Sequence, residues 1–215
     1  MMTVDIWSDI RCPFCYIGKR NFETALEKFP EKEKIEVNWH SFQLDPNLET
    51  RPDLSTLDYF VQVKNVTKEQ AQEMFSNVKQ MAADTGVQID PNSSVLANSY
   101  RAHLLLQLAI QKGKANQLKE KLFQAHFSEA KNIDDEQTLV DIAVAAGLNQ
   151  QEAEKALTSE ELGYAVKQDE MQAQQIGVRG VPFFVFNDKY AVSGAQPAET
   201  FLEVLQKAWQ EKNPE

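Results

Sequence analysis

Proline and glycine are scarce in this chain, 8 of each in 215 residues. That excludes collagen-like and low-complexity classes. Positive charge is also in deficit: 22 Lys and Arg stand against 32 Asp and Glu, a net charge of −10. Such a chain has no general attraction for phosphate backbones or anionic lipid surfaces, so neither nucleic acid nor membrane is expected as a partner. Long apolar runs are missing as well. The most apolar stretch, Leu104 to Ile110, is far short of the roughly 20 residues that span a bilayer. The amino terminus lacks the basic segment and apolar core of a secretory signal, and Asp5 interrupts its strand-like Val4 to Trp7. These features point to a cytoplasmic protein. There is no internal repeat and no linker rich in Pro, Gly or Ser.

Cysteine is scarcer still, with only Cys12 and Cys15. A chain of this length buries a sizeable core without covalent staples. A disulfide closing so small a ring would remove only roughly 2 kcal/mol of unfolded-state entropy, against about 4.7 for a ring of 100 residues. Stability is therefore a weak reason for the pair, and chemistry is the better one.

What is present reads as an α/β chain interrupted by helices. Thr3 to Ser8 is a short β-type run. Cys12-Pro13-Phe14-Cys15 leads into a helix over Tyr16 to Phe29, with Ile17, Phe22, Ala25, Leu26 and Phe29 roughly at helical spacing. Lys34 to Leu44 alternates Ile35, Val37 and Trp39 with polar residues, as a strand does, before Pro46 breaks it. From Asp45 to Gln175 the pattern is helical throughout. Thr67 to Gln70 fits a capping box for a helix running towards Gly86, and Ser94 opens another that stops at Gly113. Further helices follow over Asn116 to Ala130, Asp135 to Ala146, Gln150 to Leu157 and Glu160 to Ile176. Phe183 to Phe186 and Lys189 to Ser193 flank the turn pair Asn187-Asp188 as a hairpin, and Pro197 opens a last amphipathic helix to Trp209. The ends thus supply β-α-β and β-β-α, with an all-helical insertion between them. The expected division is 1–45 with 176–215 as one domain in two halves, and 46–175 as the helical insertion.

A Cys-x-x-Cys at a strand-to-helix junction is a redox signal of the thioredoxin type. Cys12 falls where free backbone N–H groups and the helix dipole favour an anion, and Pro13 is tolerated in the first turn because no partner awaits its missing N–H. Cys15, about one turn on, can reach back. A fall of the Cys12 pKa from about 8.5 to about 6 would raise its thiolate fraction at pH 7 from a small minority to roughly 90%. The chemistry this predicts is thiol–disulfide exchange through a mixed disulfide. No cofactor is required. A zinc site would need two more ligands, and His40, His103 and His126 are scattered over a strand and two helices, so no metal is expected. His103 and His126 read individually as packing or surface residues. Arg11, Lys19, Arg20 and Arg179 read either as a locally positive rim or as a solvated helix face. Trp7, Phe14, Trp39 and Phe42 read either as an apolar groove beside the cysteines or, for the two tryptophans, as core.

Ser8-Asp9-Ile10-Arg11-Cys12-Pro13-Phe14-Cys15-Tyr16-Ile17-Gly18, then Phe42 to Pro46, Asn98-Ser99 with Ala102-His103, and Gly177 to Phe186 resemble, in this order, the DsbA-like thioredoxin-fold family, specifically its FrnE-like branch. The resemblance implies a thioredoxin fold with a helical insertion and a disulfide oxidoreductase or isomerase acting through Cys12 and Cys15. It implies substrate contacts at Pro13, Phe14, Val181 and Pro182, with Val181-Pro182 cis and facing the cysteines, and the Val181 backbone pairing with an extended segment. Implied partners are protein or low-molecular-weight thiols and disulfides, glutathione among them; a homodimer through the insertion is a further option. One departure stands out. Many thioredoxin-fold redox proteins carry a buried carboxylate six positions before the first cysteine, and Ile6 occupies that position. Asp5 should point away by strand alternation and Asp9 reads as solvated, which leaves a residue of the insertion or a water to handle the proton. The resemblance extends to a glutathione-using branch, the 2-hydroxychromene-2-carboxylate isomerases and kappa-class glutathione transferases. There a Ser typically replaces the first cysteine, whereas this chain keeps both thiols. A third reading is a binding module for unfolded segments with the thiols as a redox sensor.

Overall fold

The computed structural model describes residues 1–213. Four strands form one sheet in the order β2-β1-β3-β4. Strand β1 (Met2–Ser8) lies parallel to β2 (Ile35–Ser41) and antiparallel to β3 (Phe183–Phe186), which pairs antiparallel with β4 (Tyr190–Ser193). Helix α1 (Pro13–Glu27) connects β1 to β2, and α9 (Ala198–Lys212) follows β4 and packs on α1. This is the β-α-β and β-β-α arrangement of the thioredoxin fold. Alternation along β1 puts Met2, Val4 and Ile6 on one face, where they meet Phe22 of α1, Phe184 and Phe186 of β3, and Phe201 and Leu205 of α9. The hairpin turn holds Asn187 at φ 50° and Asp188 at φ 55°, the left-handed pair that a two-residue turn requires.

Seven helices occupy the stretch between β2 and β3: α2 (Thr56–Val63), α3 (Lys68–Asp84), α4 (Tyr100–Gln111), α5 (Ala115–Phe127), α6 (Glu136–Ala145), α7 (Gln150–Ala156) and α8 (Glu160–Gln175). Leu105, Leu118, Leu122, Leu139, Ala143 and Leu162 form a second core, which Ile10 of the β1–α1 loop also joins. The capping box at Thr67 is present, with Gln70 N–H donating to Thr67 Oγ1 and Thr67 N–H to Gln70 Oε1.

Three local readings are corrected. Strand β2 ends at Ser41 rather than Leu44, because two carboxylates take the backbone donors there: Ser41 N–H donates to Asp169 Oδ2 at 2.7 Å and Leu44 N–H to Asp9 Oδ2 at 2.9 Å. The helix expected from Ser94 begins only at Tyr100. Before it, Arg51 N–H pairs with the Leu96 carbonyl, and Asn98 Oδ1 accepts the Tyr100 N–H at 2.7 Å in a side-chain turn that competes with helix. Helix α2, capped by Ser55 accepting the Asp58 N–H, has no counterpart in the sequence reading, which passes over 45–66 without naming a helix.

Candidate active site

Cys12 is the N-cap of α1, in an extended conformation, and Pro13 opens the first turn. Both cysteines are free thiols and nearly buried, Cys12 at 4% and Cys15 at 1% exposure. Access distinguishes them. Cys12, Pro13 and Phe14 border a cavity of about 580 Å³, and Cys15 does not. Most of the remaining wall is apolar, with Tyr59 and Phe60 from α2, Met74, Phe75 and Met81 from α3, and Phe127 from α5, while Arg11, Asp45 and Lys64 bring charge to its border. Phe14, Met74 and Met81 remain exposed at its edge.

On its other side Cys12 meets the loop before β3. The Val181-Pro182 peptide is cis, and the Cys12 thiol donates to the Val181 carbonyl at 3.5 Å. Pro182 abuts α1 at Gly18, where a Cβ would lie 2.8 Å from the proline ring. Of the four residues expected to contact substrate, Pro13 and Phe14 thus face the groove, while Val181 touches the sulfur and Pro182 braces the helix behind it.

Cys12 lies against a second buried sulfur. The hydrogen bond with Cys15, burial and the neighbouring sulfur's charge push the Cys12 thiol well above the ordinary thiol range. This corrects the expectation of a Cys12 pKa near 6, which treated that residue alone. A second buried sulfur at this distance opposes the anion that the helix start favours.

Asp9 is a further correction: it is fully buried rather than solvated. Its Oδ1 lies 3.3 Å from His103 Nε2, and the N–H groups of Arg11 and Leu44 donate to it. Burial raises the Asp9 pKa, but His103, the Leu44 N–H and Ser99 outweigh it and hold the carboxyl well below the usual carboxylate range. Of the basic residues near the motif, Lys19 is buried and paired with Glu23 and Glu120, and Arg20 is paired with Glu120. Arg179 is exposed, and only Arg11 borders the groove. Trp7 and Trp39 are core residues, and Phe42 does not border the groove.

Helix α5 adds residues that the sequence reading did not assign to the site. Phe123 and Phe127 pack in one apolar cluster with Cys12, Cys15 and Tyr16. His126 borders the groove with its Nδ1 buried and unpartnered; burial, with Arg11 nearby, lowers its pKa to about 3, so the ring is neutral. Lys119 is fully buried, and burial lowers its pKa to about 8 against the opposing effect of Cys15, Asp9 and Cys12. A signal for Lys119 exists in the sequence. It stands at helical spacing from Leu122, Phe123 and His126, a charge on an apolar stripe. Among the described residues, no three His, Cys, Asp or Glu side chains are grouped closely enough to hold a metal ion, and no helix is long and apolar enough to cross a membrane.

This arrangement suits two-electron exchange between sulfurs: an accessible first sulfur at a helix start, a second behind it, and an apolar groove in front. Comparison with known proteins gives the family and the fold. The family model for the DSBA-like thioredoxin domain matches residues 3–206. The chain is 27% identical over 204 residues to the uncharacterised protein YwbO of Bacillus subtilis, covering 94% of each. The crystal structure of a probable DsbA oxidoreductase from Streptomyces coelicolor superposes with a TM-score of 0.92 at 37% identity, over 100% of this chain and 93% of that one. The cytosolic disulfide reductase DsbM from Pseudomonas aeruginosa with GSH shares the fold at a TM-score of 0.64 and 16% identity, over 97% and 99% of the chains.

Proposed function

Because this chain belongs to the DSBA-like thioredoxin domain family, we propose that it is a cytoplasmic thiol–disulfide oxidoreductase of the FrnE-like branch, acting through Cys12 and Cys15. The observation that carries this reading is the position of Cys12, which borders the apolar groove while its thiol meets the Val181 carbonyl at 3.5 Å. Cys12 is the attacking sulfur by access. As a thiolate it bonds to one sulfur of a substrate disulfide, whose S–S bond breaks, and the other substrate sulfur leaves as a thiolate and takes up a proton. Cys15 then loses its proton and attacks Cys12, releasing the second substrate thiol. The substrate has gained two electrons and the enzyme pair is a disulfide. With a substrate dithiol the same steps run in reverse.

Pro13 and Phe14 contribute groove surface to the segment flanking the substrate sulfur, and Val181 and Pro182 form the opposite wall. Residues 1–45 and 176–215 act as the redox domain, and 46–175 as a helical insertion that supplies the cover. Substrates are protein disulfides or low-molecular-weight thiols such as glutathione. A glutathione-dependent isomerase or transferase is the weaker alternative, because both thiols are retained where that chemistry needs only the thiol of glutathione.

Dithiothreitol-driven reduction of insulin tests the mechanism. Cys12→Ser abolishes turnover and Cys15→Ser accumulates mixed disulfides with substrate. Undiminished turnover by Cys12→Ser rejects it.

A further inference from the structure

We propose that Lys119 is the positioning residue that sets the acidity and oxidising strength of the Cys12–Cys15 pair, holding a positive charge beneath the motif from the helical segment. This rests on the exchange reading above. Lys119 has no exposed surface. Its Nζ donates to the Ser8 carbonyl at 3.2 Å, at the end of β1, and lies 5.4 Å from the ring centroids of both Trp39 and Phe123. Phe123, one turn along α5, packs in the same apolar cluster as the two cysteines. Among the described residues no carboxylate forms an ion pair with Lys119. Burying an ammonium without an anion is costly, and a carbonyl bond alone does not require a full charge.

The other charges nearby are already committed. Asp9, in the β1–α1 loop, is held by His103 of α4 and by backbone donors. Lys19 of α1 is bound to Glu23 and to Glu120 of α5, which also pairs with Arg20 and accepts the Tyr16 hydroxyl. His126 is neutral, and Arg11 stands at the groove. Burial of the Lys119 ammonium is opposed first by Cys15, then by Asp9 and Cys12, so the anion near it that depends on the redox state is the thiolate of the reduced pair. That anion disappears when the disulfide closes. The ammonium therefore favours the reduced form, which makes the disulfide a stronger oxidant, and lowers the pH at which the pair gives up its first proton. It does so from a different element than the carboxylate missing at Ile6, and with the opposite charge.

The experiment titrates the 240 nm thiolate absorbance of the reduced protein and measures its equilibrium with glutathione, for wild type, Lys119→Met and Lys119→Arg. Lys119→Met should raise the first apparent thiol pKa by about one unit and, at a pH above that pKa where the thiolate is populated, move the equilibrium about tenfold towards the disulfide. Lys119→Arg, which keeps the charge, should restore most of both. A second arm uses the wild-type protein with 13C-labelled lysine: oxidising the pair should lower the titration midpoint of Lys119, since coupling between two sites is reciprocal. Unchanged thiol pKa and equilibrium in a folded Lys119→Met overturn the proposal. Should that variant not fold, an identical Lys119 titration in the reduced and oxidised wild type overturns it instead. Failure of the wild type to exchange with insulin would refute the enzymatic reading and leave these titrations to decide the role of Lys119 separately.

Discussion

Gly18 and Pro182 touch across the gap between α1 and the loop before β3, so closely that a Cβ on Gly18 would sit 2.8 Å from the proline ring and 3.5 Å from Phe184. Neither neighbour is the free end of a flexible side chain. Gly18→Ala therefore has to push helix and loop apart, at about 1 to 3 kcal/mol. The same shift moves Cys12 away from the Val181 carbonyl. Urea unfolding should show the lost stability, and insulin reduction should slow by more than the unfolded fraction explains.

The wall of the groove is a second point of test. Met74 and Met81 are exposed on α3 at the groove edge, so Met74→Glu and Met81→Glu leave the core intact. An acid there repels apolar flanking residues and acidic substrates alike. Each variant should raise KM for a peptide disulfide roughly tenfold with kcat little changed, the signature of lost binding rather than lost chemistry. Reduction of the pair by dithiothreitol should proceed as in wild type.

His40 ties the sheet to α8 and predicts a pH dependence. Its ring bonds Asp169 through Nδ1 and Asp5 through Nε2, each at 2.9 Å, and stacks on Trp7. Burial opposes protonation, but the bonds to Asp169 and Asp5 prevail and raise its pKa to about 9. The unfolded value is about 6.5, so the protonated ring stabilises the fold fully below that pH, and the contribution is lost as pH rises through about 9. It amounts to about 2 to 3 kcal/mol after allowance for partial exposure. Chemical denaturation from pH 6 to 9.5 should show this decline, and His40→Gln should flatten it.

Asp9 behaves in the opposite sense. Its folded pKa is depressed, so its contribution is full above the unfolded carboxylate pKa of about 3.9 and is lost progressively as pH falls below that towards the lower folded value. Asp9→Ala leaves His103 and the Leu44 N–H without their acceptor and should cost about 3 kcal/mol at neutral pH. Thermal melts at pH 7 and pH 3 check both statements: the deficit of the variant should be largest at pH 7 and smaller at pH 3. Equal melting temperatures at pH 7 would contradict it.

Much of this molecule is legible along the chain. The β-type run Thr3 to Ser8, the alternation in Lys34 to Trp39, the helical spacing after Cys15, and the Asn187-Asp188 turn are local properties, and each reappears in the fold. The Cys12-Pro13-Phe14-Cys15 motif identifies itself because residue type and spacing suffice to place two sulfurs at a helix start. Local pattern misleads where a distant group intervenes. Strand β2 stops early because Asp9 and Asp169 capture its backbone donors, and the helix after Ser94 is delayed by pairing with Arg51.

What the chain determined by itself is the order of the strands and of most helices, the cysteine pair and its place at the start of α1, since these follow from periodicity and from spacing within a turn. Tertiary structure alone decided which sulfur borders the groove, that Asp9 is buried against His103, and that α5 brings Lys119 beneath the motif across more than a hundred positions. Burial and charge pairing are properties of a residue's neighbours in space. A residue 111 positions away is invisible to any local reading, although it meets the end of β1 at 3.2 Å.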